Sequence, residues 1–295
     1  RDSAISYKGE LLWKYDLKSP IYGSPVIADD AIYVATSTGD FFVMYKSGKV
    51  KLKLKIYNPV VFSPVVDRNG TIFICSNNGI IISIGEEGKE YWRLKIGKEI
   101  VTQPVLDNTG CIVIATRDKL ILVQNGKIKN TYRLYSPLET APLVTENNDI
   151  FIGLKDGAFY LLKNDKKLKN KWCLNLDSSI SSNSALSDSG ILYVTTILGG
   201  VYAIPVLSKY PANSGWPMLY GNPRNTGNLN DNVKYINADG SIAIKNIKVD
   251  GKCFDWFDIQ PILVDKEGDT KGNKHTDLKA AYVAKDDKYF YAMFS

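Results

Sequence analysis

Residues 63–92 read Ser-Pro-Val-Val-Asp-Arg-Asn-Gly-Thr-Ile-Phe-Ile-Cys-Ser-Asn-Asn-Gly-Ile-Ile-Ile-Ser-Ile-Gly-Glu-Glu-Gly-Lys-Glu-Tyr-Trp. A Pro-led apolar pair is followed by a turn and by a β-branched and aromatic run. Asn77-Asn78-Gly79 then supplies the tight-turn chemistry that a positive φ requires. A second apolar run, a Gly-rich turn and a terminal Trp complete the stretch. That pattern is a meander of four short strands.

The same pattern recurs on both sides. Ala31-Ile32-Tyr33-Val34, Thr71-Ile72-Phe73-Ile74, Cys111-Ile112-Val113-Ile114, Asp149-Ile150-Phe151-Ile152 and Ile191-Leu192-Tyr193-Val194 are five copies of one junction. Their third residues are 40, 40, 38 and 42 apart. Pro25, Pro64, Pro104 and Pro142 keep step, with Ser184 in the fifth copy. So do Gly39, Gly79, Gly157 and Gly199, with Lys119 in the third. Trp13, Trp92 and Trp172 each lie twelve residues before the Pro or Ser position.

A repeat of this length carrying four strands predicts an all-β protein and a β-propeller, because one such sheet cannot bury its apolar faces alone. Five blades are visible. The fifth copy ends near Pro205 without a fourth strand, and Tyr7–Trp13 resembles the outer-strand stretch Glu87–Trp92. The expectation is that Leu11–Leu17 completes the fifth blade beside Val201–Ile204 and closes the ring. The Trp residues are expected to anchor outer strands against neighbouring blades. In 49–56, Lys alternates with Val, Leu and Ile, which suits an outermost strand whose Lys face blocks edge-to-edge association. A grip on a polyanion is the functional alternative for that face.

The organisation read from the chain is a propeller over 1–207, an ordered Gly-, Pro- and Asn-rich connector over 208–235 and a small β unit over 236–295. The last is β-rich, with an alternating stretch at 241–249 and two strands within 278–294, and is a marginal domain by size.

Composition narrows the chemistry. The one histidine in the chain is His275, so Ser-His-Asp and Cys-His catalysis and His-containing metal clusters are excluded from the propeller. Cys75, Cys111, Cys173 and Cys253 are far apart in sequence and read as free thiols. The net charge of +6 reads as a Lys-rich solvated surface. No Arg cluster with interleaved aromatics points to nucleic acid, and no apolar run is long enough to span a membrane. The N-terminus lacks the pattern of a signal peptide. Acidic residues Asp16, Asp67, Asp107, Glu139, Glu146 and Asp188 are scattered, and Asp67 and Asp107 occupy equivalent turn positions where Asp caps its own backbone. In the C-terminal unit, Asp265, Asp269 and Asp277 offer carboxylates around Gly268, a candidate Ca²⁺ loop without EF-hand spacing.

The residues Ser-Pro-Val-Ile at 24–27, Ile-Tyr-Val-Ala at 32–35, Ser-Thr-Gly-Asp at 37–40, the glycine turn and the Trp together resemble the PQQ-like, quinoprotein-type propeller repeat, over residues 7 to about 205. That repeat also occurs in outer-membrane assembly lipoproteins. Trp216–Gly227 is similar to a segment flanking such propellers. The stretch from Val249 to Tyr282 resembles the start of a carbohydrate-binding-module-like sandwich. The resemblance implies a secreted or cell-surface setting. Quinone enzymes of this type use adjacent cysteines beneath the cofactor and a Glu, Asn and Asp set for Ca²⁺, and no such motifs are identifiable here. The repeat therefore implies the fold and not the cofactor. The reading that follows is a non-enzymatic binding or scaffold protein, recognising a protein or cell-surface glycan through propeller loops, with no PQQ expected. A PQQ-dependent oxidoreductase is the alternative.

Overall fold

A computed structural model describes residues 2–6, 9–164, 167–187, 189–208, 210–222, 227–229, 261–264, 280–285 and 290–294. All its regular elements are strands. The chain divides into two units, Arg1–Asn230 and Asp231–Ser295.

Unit 1 opens with an antiparallel pair, β1 (Asp2–Ile5) and β2 (Leu11–Tyr15). Four antiparallel four-stranded sheets follow, each in meander order. The first holds β3 (Val26–Ala28), β4 (Ala31–Ala35), β5 (Asp40–Tyr45) and β6 (Val50–Lys55). The second holds β7 (Val65–Val66), β8 (Ile72–Cys75), β9 (Ile80–Ile84) and β10 (Glu90–Lys95). The third holds β11 (Val105–Leu106), β12 (Ile112–Ala115), β13 (Lys119–Gln124) and β14 (Lys127–Arg133). The fourth holds β15 (Leu143–Val144), β16 (Asp149–Gly153), β17 (Ala158–Asn164) and β18 (Leu168–Asn175). A fifth sheet has three strands, β19 (Ala185–Leu186), β20 (Ile191–Thr195) and β21 (Val201–Pro205). In unit 2, β22 (Pro261–Val264), β23 (Ala280–Lys285) and β24 (Phe290–Phe294) form one antiparallel sheet in that order.

The period of two along each strand explains how the blades stack. In the third blade Ile112, Ile114, Ile121 and Val123 belong to a core shared with the first two blades. The alternate residues Val113, Ala115, Leu120 and Leu122 belong to a different core, shared with the fourth blade. Both faces of that sheet are therefore buried, which is why its strands read as unbroken apolar runs. The fourth blade repeats the device, with Ile150 and Ile152 on one side and Phe151 and Phe159 on the other. In the fifth blade Leu192 and Val194 are buried, while Tyr193 and Val201 stand exposed on the opposite face.

The expected clasp is not formed. β2 does not lie beside β21; it pairs with β1, with Ser3 opposite Lys14 and Ala4 opposite Trp13. The reason lies in the turn between them. Ser6 N donates to Glu10 O and Gly9 N to Ser6 O, the same two bonds that Tyr45–Lys49 and Gly85–Lys89 make between third and fourth strands. The same one-residue register shift recurs in β1–β2, β5–β6, β9–β10, β13–β14 and β17–β18. β1 is thus equivalent to a third strand, and it occupies the edge of β2 that β21 would need. Among the described residues, the outer edge of β21 carries no strand.

The Trp anchors are present and half-buried. Trp13 Nε1 donates to Lys46 O at 2.7 Å, and its ring covers Gly48 of the next blade. Trp92 meets Phe73 at 5.9 Å and lies over Gly126 of the next blade. Because part of Trp92 stays in solvent, Trp92→Ala is expected to cost about 2 kcal/mol, less than a wholly buried aromatic. Urea unfolding measures it.

Candidate functional site

The inner edges of the first four blades, where a propeller's axis runs, are lined by the chain's own connector. Val144 N donates to Pro217 O, and Ala212 N returns a bond to Val144 O. Leu106 N donates to Trp216 O, and Ser214 Oγ to Leu106 O. Ile27 N donates to Gly227 O, and Leu229 N to Ile27 O. Gly215 lies against Val66 O, so close that an added Cβ would reach it at 2.8 Å. One segment thus touches β3, β7, β11 and β15. Trp216 is wholly buried in the core of the first three blades, and Met218 enters the core of the last two. Polar side chains complete the seam: Asn213 N donates to Asn108 Oδ1 at 2.6 Å, and the buried Ser208 Oγ donates to Thr145 Oγ1 at 2.9 Å. Trp216 Nε1 is buried without a partner among the described residues.

At the other end of the inner strands, the residue before each repeat's Pro ties blade to blade. Ser24 N donates to Ser63 Oγ, and Ser63 N to Gln103 Oε1. Gln103 Nε2 returns a bond to Ser63 O, and Ala141 N donates to Asn183 Oδ1. The turns after the second strands and the connections into each first strand form this face. Ion pairs join them: Lys98 with Asp118 at 2.6 Å, Arg117 with Glu99 and Lys155 with Glu139. The hydrogen bond from Lys98 holds the Asp118 carboxyl below the usual carboxylate range. Tyr22, Tyr57 and Tyr135 are strongly exposed on the same connections. Arg133 lies over the Tyr135 ring at 5.6 Å.

The acidic residues singled out in the sequence are dispersed. Asp67 Oδ1 accepts from Asn69 N and Thr71 N, and the buried Asp107 Oδ1 accepts from Thr109 N and Cys111 N. Both cap their turns, as their equivalent positions predict. Asp16 accepts from Lys18, and Glu139 serves the ion pair above. Among the described residues no group of three His, Cys, Asp or Glu side chains is placed to hold a metal. Asp188, Cys253, Asp265, Asp269, His275 and Asp277 lie outside the described residues, as does most of the stretch resembling a carbohydrate-binding module. No helix among the described residues is long and apolar enough to cross a membrane.

The cysteines differ in reach. Cys75 and Cys111 are buried, and burial raises both thiols above their ordinary pKa. Cys173 is exposed on β18. An aromatic disulfide reagent at pH 8 is expected to modify Cys173 in the native protein and to reach Cys75 and Cys111 only on unfolding. Peptide mass mapping checks this.

No protein-family model and no curated protein matches the sequence. Solved structures do. BamB from Moraxella catarrhalis superposes with a TM-score of 0.56 at 15% identity, over 70% of this chain and 64% of that one. This chain therefore spans less than two thirds of BamB's length. The C-terminal WD40 domain of Sif2 aligns with a TM-score of 0.49 at 13% identity, over 62% of this chain and 58% of that one. Virginiamycin B lyase from Staphylococcus aureus aligns with a TM-score of 0.49 at 11% identity, over 65% of this chain and 72% of that one. The five-fold repeat, the four-stranded meander in each full copy, the two-sided burial of each inner blade and the likeness to BamB together establish that unit 1 is a β-propeller.

Proposed function

We propose that this chain is a non-enzymatic binding propeller whose partner, a protein, docks on the face that carries Tyr22, Tyr57 and Tyr135. One observation carries the reading. The inner edges of the first four blades, a natural place for a small ligand, are taken by the connector and the wholly buried Trp216, while three tyrosines stand in solvent on one face. Exposed aromatics are the side chains that anchor protein interfaces. The likeness to BamB supports the fold on which this reading rests and supplies no partner.

Tyr57 sharpens the test. Its φ is +63°, in the left-handed region that disfavours a side chain, and Gly97 holds the equivalent position in the next repeat with φ +76°. Tyr57→Gly is expected to leave stability unchanged or raise it by up to about 1 kcal/mol, measured by urea unfolding. The same change, combined with Tyr22→Ala and Tyr135→Ala, is expected to abolish capture of a partner that the parent chain retains.

The oxidoreductase alternative is tested by calorimetric titration with pyrroloquinoline quinone and Ca²⁺ near physiological salt, since basic charge alone gives salt-sensitive association. Binding no tighter than about millimolar is expected, because the cofactor requires a stacking plane and a metal to polarise its carbonyl. A one-to-one micromolar isotherm with dye reduction on simple alcohols overturns the binding-protein reading.

A further inference from the structure

The charge of this chain is not spread evenly. The outer strands β2, β6, β10, β14 and β18 together hold eleven Lys and Arg residues and a single acid, Glu90. All eleven basic residues are exposed. That surplus of ten, set against +6 for the whole chain, leaves everything else at −4. The basic character of the protein therefore resides on the rim of the propeller. Few of these charges are neutralised. Lys53 and Lys55 share Asp40, and Arg93 pairs with Glu90. Lys51, Lys95, Lys127, Lys169 and Lys171 have no carboxylate partner among the described residues.

We infer that this rim binds an extended anionic polysaccharide. Alternate residues of a strand lie about 7 Å apart on one face, so Lys51, Lys53 and Lys55 present a row of charges along one line, and Arg93 with Lys95, Lys127 with Lys129 and Lys169 with Lys171 add shorter rows on the next three blades. A long flexible polyanion engages several rows at once and gains by multivalency. Each of the four full blades carries one outer strand, so a flat anionic membrane meets only those on one side. Nucleic acid fits less well. Nine of the eleven basic residues are Lys, and both arginines are engaged, Arg93 with Glu90 and Arg133 over Tyr135. Trp13, Trp92, Trp172 and Tyr132 of these strands are half-buried and packed within the blades, and only Tyr15 and Tyr91 are exposed for stacking on bases. A folded acidic protein would need an apolar centre to its interface, and the exposed apolar residues of these strands, Leu11, Leu12, Ile128 and Leu174, are divided among β2, β14 and β18. The inference is independent of the tyrosine face.

Heparin is the probe, titrated into the full chain by calorimetry over a series of salt concentrations, with dextran, duplex DNA and phosphatidylserine vesicles alongside. Saturable binding of heparin is expected, falling log-linearly with salt, with none to dextran. The variants Lys51→Gln/Lys53→Gln/Lys55→Gln and Lys127→Gln/Lys169→Gln/Lys171→Gln are each expected to bind at least about tenfold more weakly. Lys18→Gln/Lys98→Gln/Lys155→Gln removes the same charge from the tyrosine face and is expected to change affinity less than about twofold. Thermal melts confirm that the variants fold, and the two rim variants alter different blades, so either alone reports. Equal weakening by all three variants overturns the inference, because net charge alone would then explain binding. Failure to bind heparin, or tighter binding to DNA or vesicles at the same salt, overturns it as well.

Discussion

Trp216→Ala is expected to destabilise unit 1 by about 3–5 kcal/mol, the range for emptying a wholly buried large aromatic site. Trp216 is 0% exposed and lies among core residues contributed by three blades. Its main chain adds a second term. Leu106 N donates to Trp216 O and Val144 N to Pro217 O, so a connector that loosens leaves two donors of the inner strands without partners. The variant should therefore melt earlier and be cut by protease between 210 and 222 under conditions that leave the parent intact. Trp216→Phe separates packing from polarity. It keeps most of the ring and removes the buried Nε1, which has no partner among the described residues, so a cost of no more than about 1 kcal/mol is expected. Chemical denaturation and limited proteolysis of the two variants decide it. An unchanged stability in Trp216→Ala would show that the connector does not hold the blades.

The second large effect is expected at Gly79. Its φ is +85°, and a Cβ added there would overlap the carbonyl oxygen of Lys98. That oxygen is backbone and cannot rotate away, and Gly79 O also accepts from Ile96 N, which pins the turn to the connection leaving β10. Gly79→Ala is expected to cost about 3 kcal/mol or more, the left-handed penalty added to the steric one. Gly199 provides the control. It is the same position of the fifth repeat, with φ +90° and nothing within 4 Å of an added Cβ. Gly199→Ala therefore carries only the conformational penalty, about 1–2 kcal/mol. Paired urea titrations measure the difference, and equal losses at the two sites would remove the steric argument.

That contrast marks how far the sequence reaches. The turn at Asn77-Asn78-Gly79 was legible because a positive φ is a local demand that few residues meet. The strands were legible for a similar reason: a period of two, β-branched content and bounding glycines act over a few residues. The recurrence of that pattern near forty residues then requires the propeller, since a four-stranded meander buries its two faces only against copies of itself. The caps at Asp67 and Asp107 follow from the same short-range logic.

Pairing between distant edges does not follow from it. Tyr7–Trp13 matches the outer-strand pattern, yet nothing local says whether β2 takes its partner from the far end of the chain or from Asp2–Ile5 beside it. The nearer segment wins, because a hairpin closes a far shorter loop. That the connector bonds four inner edges was not legible, since its contacts join residues as far apart as Leu106 and Ser214, and its Gly-, Pro- and Asn-rich run has no period to read. The Lys face of 49–56 was legible in the sequence, but the basic residues of the other outer strands joined it as one rim only when the tertiary structure placed β6, β10, β14 and β18 at the outside of their blades. The amino-acid sequence by itself determined the strands, their turns and the repeat, because those depend on φ, ψ and side-chain alternation within a few residues. Only the tertiary structure decided which edges meet, what fills the inner edges and where charge collects, because those depend on hydrogen bonds and packing between residues that the chain brings together from far apart.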